Sequence, residues 1–183
     1  MTRRPSDAPF NPSTDAALRT RLDFDDARLL AECEVHIHRT GGPGGQHRNK
    51  VASAVRLRHK PTGFVVTATE RRSQHENKAN AIRRLREAIA IGIRRPPPAK
   101  VDWPASVQVR NGQLKVAEQN PAYWHVLALV LDELAPCSGQ VSQVAVRLGV
   151  TTSSLTRFLA DHPKAWTEAN RIRRAAGLPL LRA

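Results

Sequence analysis

The sequence is short of acid, of cysteine and of long apolar runs. Its 183 residues hold 16 Asp+Glu against 29 Lys+Arg. Its two cysteines, Cys33 and Cys137, are far apart and too few for a disulfide framework. No stretch approaches the ~20 apolar residues that a membrane helix needs. The opening MTRRPSDAPFNPSTD also lacks the apolar run of a signal peptide. A soluble, cytoplasmic protein is therefore expected. A hydrophobic content of 40% over this length supplies a core for one domain or a small pair, without metal or disulfide staples. What is present in excess is positive charge, a formal net of +13, which points to a polyanion and most plainly to nucleic acid.

The placement of that charge separates a binding face from a general Arg-rich bias. Residues 1–35 hold five Lys+Arg and seven Asp+Glu, a net of −2. Residues 36–95 hold fourteen and three, a net of +11, and residues 96–183 hold ten and six, a net of +4. A compositional bias would spread more evenly, so a localised polyanion-binding face is the better reading.

Four stretches organise the chain: a flexible leader over 1–20, a catalytic domain over 21–95, a Pro-rich linker and hairpin over 96–120, and a helical module over 121–183. The leader is rich in Pro, Ser, Asp and Thr without periodicity. Residues 27–32 suit a short helix behind Asp25 and Asp26. Alternation predicts strands over 34–39, 54–59 and 64–69, the last two joined by Pro61-Thr62-Gly63, with Arg56 and Arg58 on one face and Val55 and Leu57 on the other. Ser73, with Glu76 three residues on, predicts the start of a helix over 74–91. Its expected apolar stripe is Ala79, Ile82, Leu85, Ala88 and Ile89. Asn111-Gly112 signals a two-residue hairpin within 107–116. Helices are expected over 122–134, 141–148, 153–160 and 163–176, with Gly177 as a stop.

The most informative segment is Gly41-Gly42-Pro43-Gly44-Gly45-Gln46. A phosphate-binding loop needs Lys-Ser/Thr where Gln46-His47 stand, and the dinucleotide pattern needs another glycine spacing, so both fail. The run from His38 to Lys50 (HRTGGPGGQHRNK) closely resembles the signature of the class I peptide chain release factors. The resemblance continues through Ser53-Ala54-Val55-Arg56, Pro61-Thr62-Gly63 and Arg72 to Ala79 (RSQHENKA), spanning about residues 35–90 in order.

The resemblance implies an α+β fold: a small sheet with a packed helix, with a mostly helical module after it in this chain. It also implies an activity, hydrolysis of the ester joining peptide to tRNA in the ribosomal peptidyl transferase centre. By position the catalytic triplet is Gly44, Gly45 and Gln46. Ester hydrolysis needs a placed water and a donor for the developing oxyanion, and the Gln46 N–H fits the donor's role. Glycines at 44 and 45 permit positive φ and a close approach to RNA. Arg39, His47, Arg48, Asn49, Lys50, Arg56, Arg58, Arg71, Arg72, Lys78, Arg83 and Arg84 form the expected RNA-binding set, the alternative being a solvated basic face. Ser73-Gln74-His75 read first as capping and packing. Arg48 stands where the family usually has an apolar residue, and Gly41 where it more often has Ser.

The partners implied are large-subunit rRNA, peptidyl-tRNA as substrate, and a methyltransferase acting on Gln46. No cofactor and no metal is expected, because Cys33, His36, His38, His47, His59 and His75 lack a zinc-ligand spacing. Stop-codon readers are much longer, so the likeness is to stand-alone, codon-independent rescue factors. Those usually end in a basic tail, whereas residues 121–183 read as a folded module with Tyr123, Trp124 and Trp166 in its core. Val144, Ala145, Leu148, Gly149, Val150, Leu155 and Phe158 fit a helix-turn-helix spacing. There Thr151, Thr152, Ser153, Ser154 and Arg157 would face a groove or phosphates of mRNA or small-subunit rRNA, and plain helical packing is the equal alternative. Two other functions stay open: a ribosome- or RNA-binding protein without catalysis, and a DNA-binding regulator built on residues 141–160.

Overall fold

In the computed structural model the described residues are 12–39 and 52–182, with only the backbone described for 12–15. The chain forms two compact units, residues 1–93 and 94–183.

The first unit contains helix α1 (Pro12–Arg19), a 3-10 turn (Thr20–Asp23), helix α2 (Asp26–Ala31), strands β1 (Cys33–His38), β2 (Ala54–His59) and β3 (Val65–Ala68), and helix α3 (Gln74–Gly92). The strands pair as an antiparallel meander in the order β1-β2-β3. Alternation along β2 sends Val55, Leu57 and His59 inward and Arg56 and Arg58 outward. Helix α3 covers the inner face, and Leu57, Ala68, Ala81, Leu85, Ile89 and Ala90 are fully buried. Ser73 caps α3 by accepting the Glu76 N–H.

The buried stripe of α3 differs from the expected one. It runs Asn77, Ala81, Ile82, Leu85, Ile89, Ala90, whereas Ala79 is exposed and Ala88 half-buried. The polar Asn77 takes the first core position because its amide is fully bonded, which removes the cost of burying it. Of the expected leader, residues 1–11 lie outside the described residues, and 12–19 form α1. Arg19 is 3% exposed and donates to the carbonyls of Ala90 (3.1 Å) and Ile93 (2.8 Å). A guanidinium at the carbonyl end of α3 satisfies orphan acceptors and suits the helix dipole, and periodicity of apolar residues carries no sign of it.

The second unit opens with the hairpin of β4 (Gln108–Arg110) and β5 (Gln113–Lys115), turned at Asn111 (φ 50°) and Gly112 (φ 71°). Beyond it come helices α4 (Tyr123–Leu134), α5 (Val141–Leu148), α6 (Thr152–Ala160) and α7 (Pro163–Ala175). Helix α4 is buried on nearly every side. Its two carboxylates, Asp132 and Glu133, are each answered by arginine: Asp132 by Arg94 and Arg95, Glu133 by Arg147. Tyr123 and Trp124 are buried and Trp166 is half-buried. Between α5 and α6 the chain turns at Gly149 in the left-handed region (φ 66°), and Val144, Ala145, Leu148, Leu155 and Phe158 pack in the core. Among the described residues no helix is long and apolar enough to cross a membrane.

Candidate nucleic-acid interface

Strand β1 ends at His38, and β2 begins at Ala54, its register partner. The glycine segment joins these two neighbouring positions. Gly44, Gly45 and Gln46, with His47, Arg48, Asn49 and Lys50, lie outside the described residues. The base from which that segment leaves is formed by the ends of β1 and β2 and the start of α3.

The base is fixed by Asn77. Its Nδ2 donates to Ser53 O at 2.7 Å and to Arg71 O at 2.8 Å, and its Oδ1 accepts from Arg71 N at 2.9 Å. The whole amide is used, and Asn77 is fully buried. One side chain therefore joins the residue before β2, the 71–73 turn and the first turn of α3. Asn77 lies within the RSQHENKA motif, but nothing in its spacing marks it as a hub.

The outer face of the sheet is open. By register His36 stands beside Arg56 and Glu34 beside Arg58, with Thr67 and Val65 on the far side. His36, His38, Arg56, Arg58 and Thr67 are all exposed. Arg58 pairs with Glu34 at 3.3 Å, but its side chain stays 60% exposed, and such a pair is worth only ~0–1 kcal/mol. His36 and His38, weighed from sequence only as metal ligands, share this face with Arg56 and Arg58. The period-2 alternation of β1 is the signal that places them there.

The other expected RNA-binding residues divide. Arg39, at the end of β1, is exposed, as are Arg71, Arg72 and Lys78 around the start of α3 and Arg83 further along it. Arg84 is engaged inside the unit: it pairs with the Glu70 carboxylate and donates to Thr67 O. Burial works to raise the Glu70 carboxyl, but the hydrogen bond from Arg84 prevails and holds it low. Arg84 thus braces α3 against the end of β3.

Of the other His and Cys candidates, His59 and Cys33 are held inside the unit, His75 is exposed and His47 lies outside the described residues. His59 is fully buried between Thr62 (Nδ1, 2.8 Å) and Glu32 (Nε2, 3.0 Å), and Glu32 also receives Arg21 at 3.0 Å. Burial pushes the His59 imidazole below its usual range, against the opposing pull of Glu32. Burial, helped by Glu32 and opposed by Lys60, raises the Cys33 thiol to about 11, so it is no thiolate at neutral pH. Among the described residues no three His, Cys, Asp or Glu side chains gather as a metal-binding group.

Comparison with known families decides the lineage. The RF-1 domain model matches residues 29–118. Residues 29–118 belong to the class I release factor family. Peptide chain release factor 1 of Acidiphilium cryptum is 47% identical over 76 residues, 42% of this chain and 22% of the relative. Peptide chain release factor 1 of Geobacter sulfurreducens is 39% identical over 99 residues, 54% of this chain and 28% of the relative. Peptide chain release factor 2 of Helicobacter pylori is 32% identical over 135 residues, 66% of this chain and 35% of the relative. The chain thus spans about a third or less of these relatives' length. The release-factor domain includes the glycine segment, the sheet, α3 and the β4–β5 hairpin, and it stops before α4.

Proposed function

We propose that the chain releases peptides on the ribosome by hydrolysing the ester of peptidyl-tRNA, and that it does so without reading a stop codon, as a rescue factor. The observation that carries this reading is the release-factor match across residues 29–118, which includes Gly44-Gly45-Gln46. In the reaction a water oxygen bonds to the ester carbonyl carbon, the bond to the tRNA ribose oxygen breaks, and a water proton ends on that oxygen. The Gln46 N–H is the donor for charge on the carbonyl oxygen, and its uncharged side chain lines the water site without acting as a base. Gly44 and Gly45 let the backbone approach RNA where a Cβ would collide.

The partners in this reading are large-subunit rRNA and peptidyl-tRNA, with a methyltransferase acting on Gln46. Arg39, His47, Arg48, Asn49, Lys50, Arg56, Arg58, Arg71, Arg72, Lys78 and Arg83 meet rRNA phosphates; Arg84 contributes by bracing α3. Codon independence rests on the resemblance to stand-alone rescue factors; the helical module beyond residue 118 lies outside the family match and stands where those factors usually carry a basic tail.

The test is peptide release from ribosomes carrying peptidyl-tRNA, on mRNA truncated in the decoding site and on mRNA with a stop codon there. Equal or greater release on truncated mRNA is expected. Gln46→Ala should abolish most release with binding nearly intact, because the contact acts in the transition state. Full release by Gln46→Ala would remove the role given to the loop, and release confined to a stop codon would remove the rescue role.

A further inference from the structure

The second unit carries a surface that the release reaction does not use. Hairpin β4–β5 is fastened to the start of α6 by three contacts. Thr151 N donates to Gly112 O at 2.8 Å, Leu114 N donates to Ser154 Oγ at 2.8 Å, and Gln113 Nε2 reaches Thr151 Oγ1 at 3.4 Å. A Cβ on Gly112 would lie 2.9 Å from Thr151 Cγ2, so only glycine allows this approach. Thr151 and Ser154, two of the five residues read from sequence as facing a groove, are therefore occupied in holding the hairpin. Arg110, Asn111 and Lys115 on the hairpin and Thr152, Ser153 and Arg157 on α6 stay exposed.

The charge of this surface has one sign. Residues 103–117 and 134–160 contain no Asp or Glu. Of their four cations Arg147 is taken by Glu133 at 2.6 Å. Arg110, Lys115 and Arg157 have no carboxylate answering them among the described residues. The positive end of the α6 dipole adds to the same field.

We infer that the face built by the β4–β5 hairpin and the start of α6 docks on the sugar-phosphate backbone of RNA, as a second RNA contact separate from the release-factor loop. Exposed arginine, lysine, asparagine, threonine and serine bind phosphate oxygens and 2′-hydroxyls, and the deep, narrow major groove of an RNA duplex keeps such side chains from its base edges. The choice of RNA rests on the proposed ribosomal function. RNA held by the first unit brings more RNA within reach at high local concentration, so three cations suffice where they would be weak alone. The surface reads backbone position rather than sequence, which suits a factor that works without a codon.

The test uses the full chain and a labelled RNA duplex of about 20 base pairs, its DNA counterpart, and an acidic peptide as competitor, titrated between about 0.05 and 0.3 M salt. Arg110→Gln/Arg157→Gln should weaken RNA binding and flatten the slope of log K against log salt by about one to two. Ser153→Asp should also weaken RNA binding while leaving Tm unchanged or higher, because an acid in the first turn favours the helix. That opposite sign separates lost docking from lost folding. An unchanged slope in the double variant, unchanged binding by Ser153→Asp, tighter binding to DNA than RNA, or displacement by the peptide in preference to RNA would each overturn the inference. Gln46→Ala, assayed in parallel for release, keeps the two ideas apart. If only the release reading fails, the salt slope still falls in the double variant; if only the docking surface fails, release still depends on Gln46.

Discussion

Asn77 Nδ2 donates to Ser53 O across 2.7 Å, linking the first turn of α3 to the residue before β2. The chain re-enters the described fold there after the glycine segment, so in the proposed function the base that serves Gln46 is set by a helix. Asn77→Ala removes three hydrogen bonds from a buried site and strands Ser53 O with both backbone groups of Arg71. At about 1 kcal/mol per bond, the expected loss is ~2–4 kcal/mol in urea unfolding. Asn77→Asp keeps the acceptor for Arg71 N but turns a carboxylate toward two carbonyls, so it should destabilise more at neutral pH than near pH 4. In both variants peptide release should fall further than ribosome binding, because placement of the loop is lost before its surroundings. A variant of normal stability and normal release would refute the link.

Arg56 and Arg84 are indistinguishable from sequence as members of one basic set, and the structure gives them different neighbours. Arg56→Gln should leave Tm within about a degree and flatten the salt dependence of ribosome co-sedimentation by about one. Arg84→Gln should do the reverse: it releases Glu70 and Thr67 O, costing about 1 kcal/mol in unfolding, and leaves the salt slope nearly unchanged. Matching effects from the two variants would show that the bracing role of Arg84 is wrong.

The contrast shows what local pattern reveals. The limits of β2 and α5 derive from period-2 and helical spacing plus a Pro or Gly boundary, and the structure places both where the spacing does. The α+β class and the release-factor relationship are legible for the same reason: they sit in consecutive residues. What is not legible depends on partners distant in sequence. Arg19 meets the carbonyls of Ala90 and Ile93, Asn77 meets Ser53, and Arg84 meets Glu70, each set by how α3 lies against its neighbours. The expected stripe of α3 is rotated from the real one because polarity ranks Ala79 above Asn77, and a satisfied amide reverses that order.

The buried His59 makes the first unit sensitive to acid. Its folded pKa is depressed below 6.5, so the unfolded chain binds a proton that the folded chain refuses. The associated stability is fully present above pH 6.5 and is lost as pH falls through the lower folded value. Glu32 adds in the same direction at lower pH: burial tends to raise it, yet the bonds from Arg21 and His59 hold it below 4.5, and protonating it removes both. Urea midpoints should be flat between about pH 7 and 8 and fall from about pH 6.5 downward. His59→Gln should be less stable at pH 7 but should show a shallower fall between about pH 6.5 and 5. An unchanged slope in that variant would assign the acid sensitivity to other groups.

Asp132 is 1% exposed and accepts from Arg94 at 3.2 Å, with Arg95 at 3.7 Å on its other oxygen. A buried pair of this kind adds little over apolar packing while whole, but removing one partner leaves the other charge in a poor environment. Asp132→Ala should therefore cost ~3–5 kcal/mol, and Asp132→Asn less, because the amide oxygen still accepts from Arg94. The same loss should not appear in Arg95→Gln, whose side chain is 44% exposed and can turn to water. Since Asp132 lies on α4, outside the release-factor match, thermal unfolding of Asp132→Ala should lower the transition of the second unit. Near-native release by the same protein at low temperature would show that the buried Asp132 pair serves stability of the second unit and not hydrolysis.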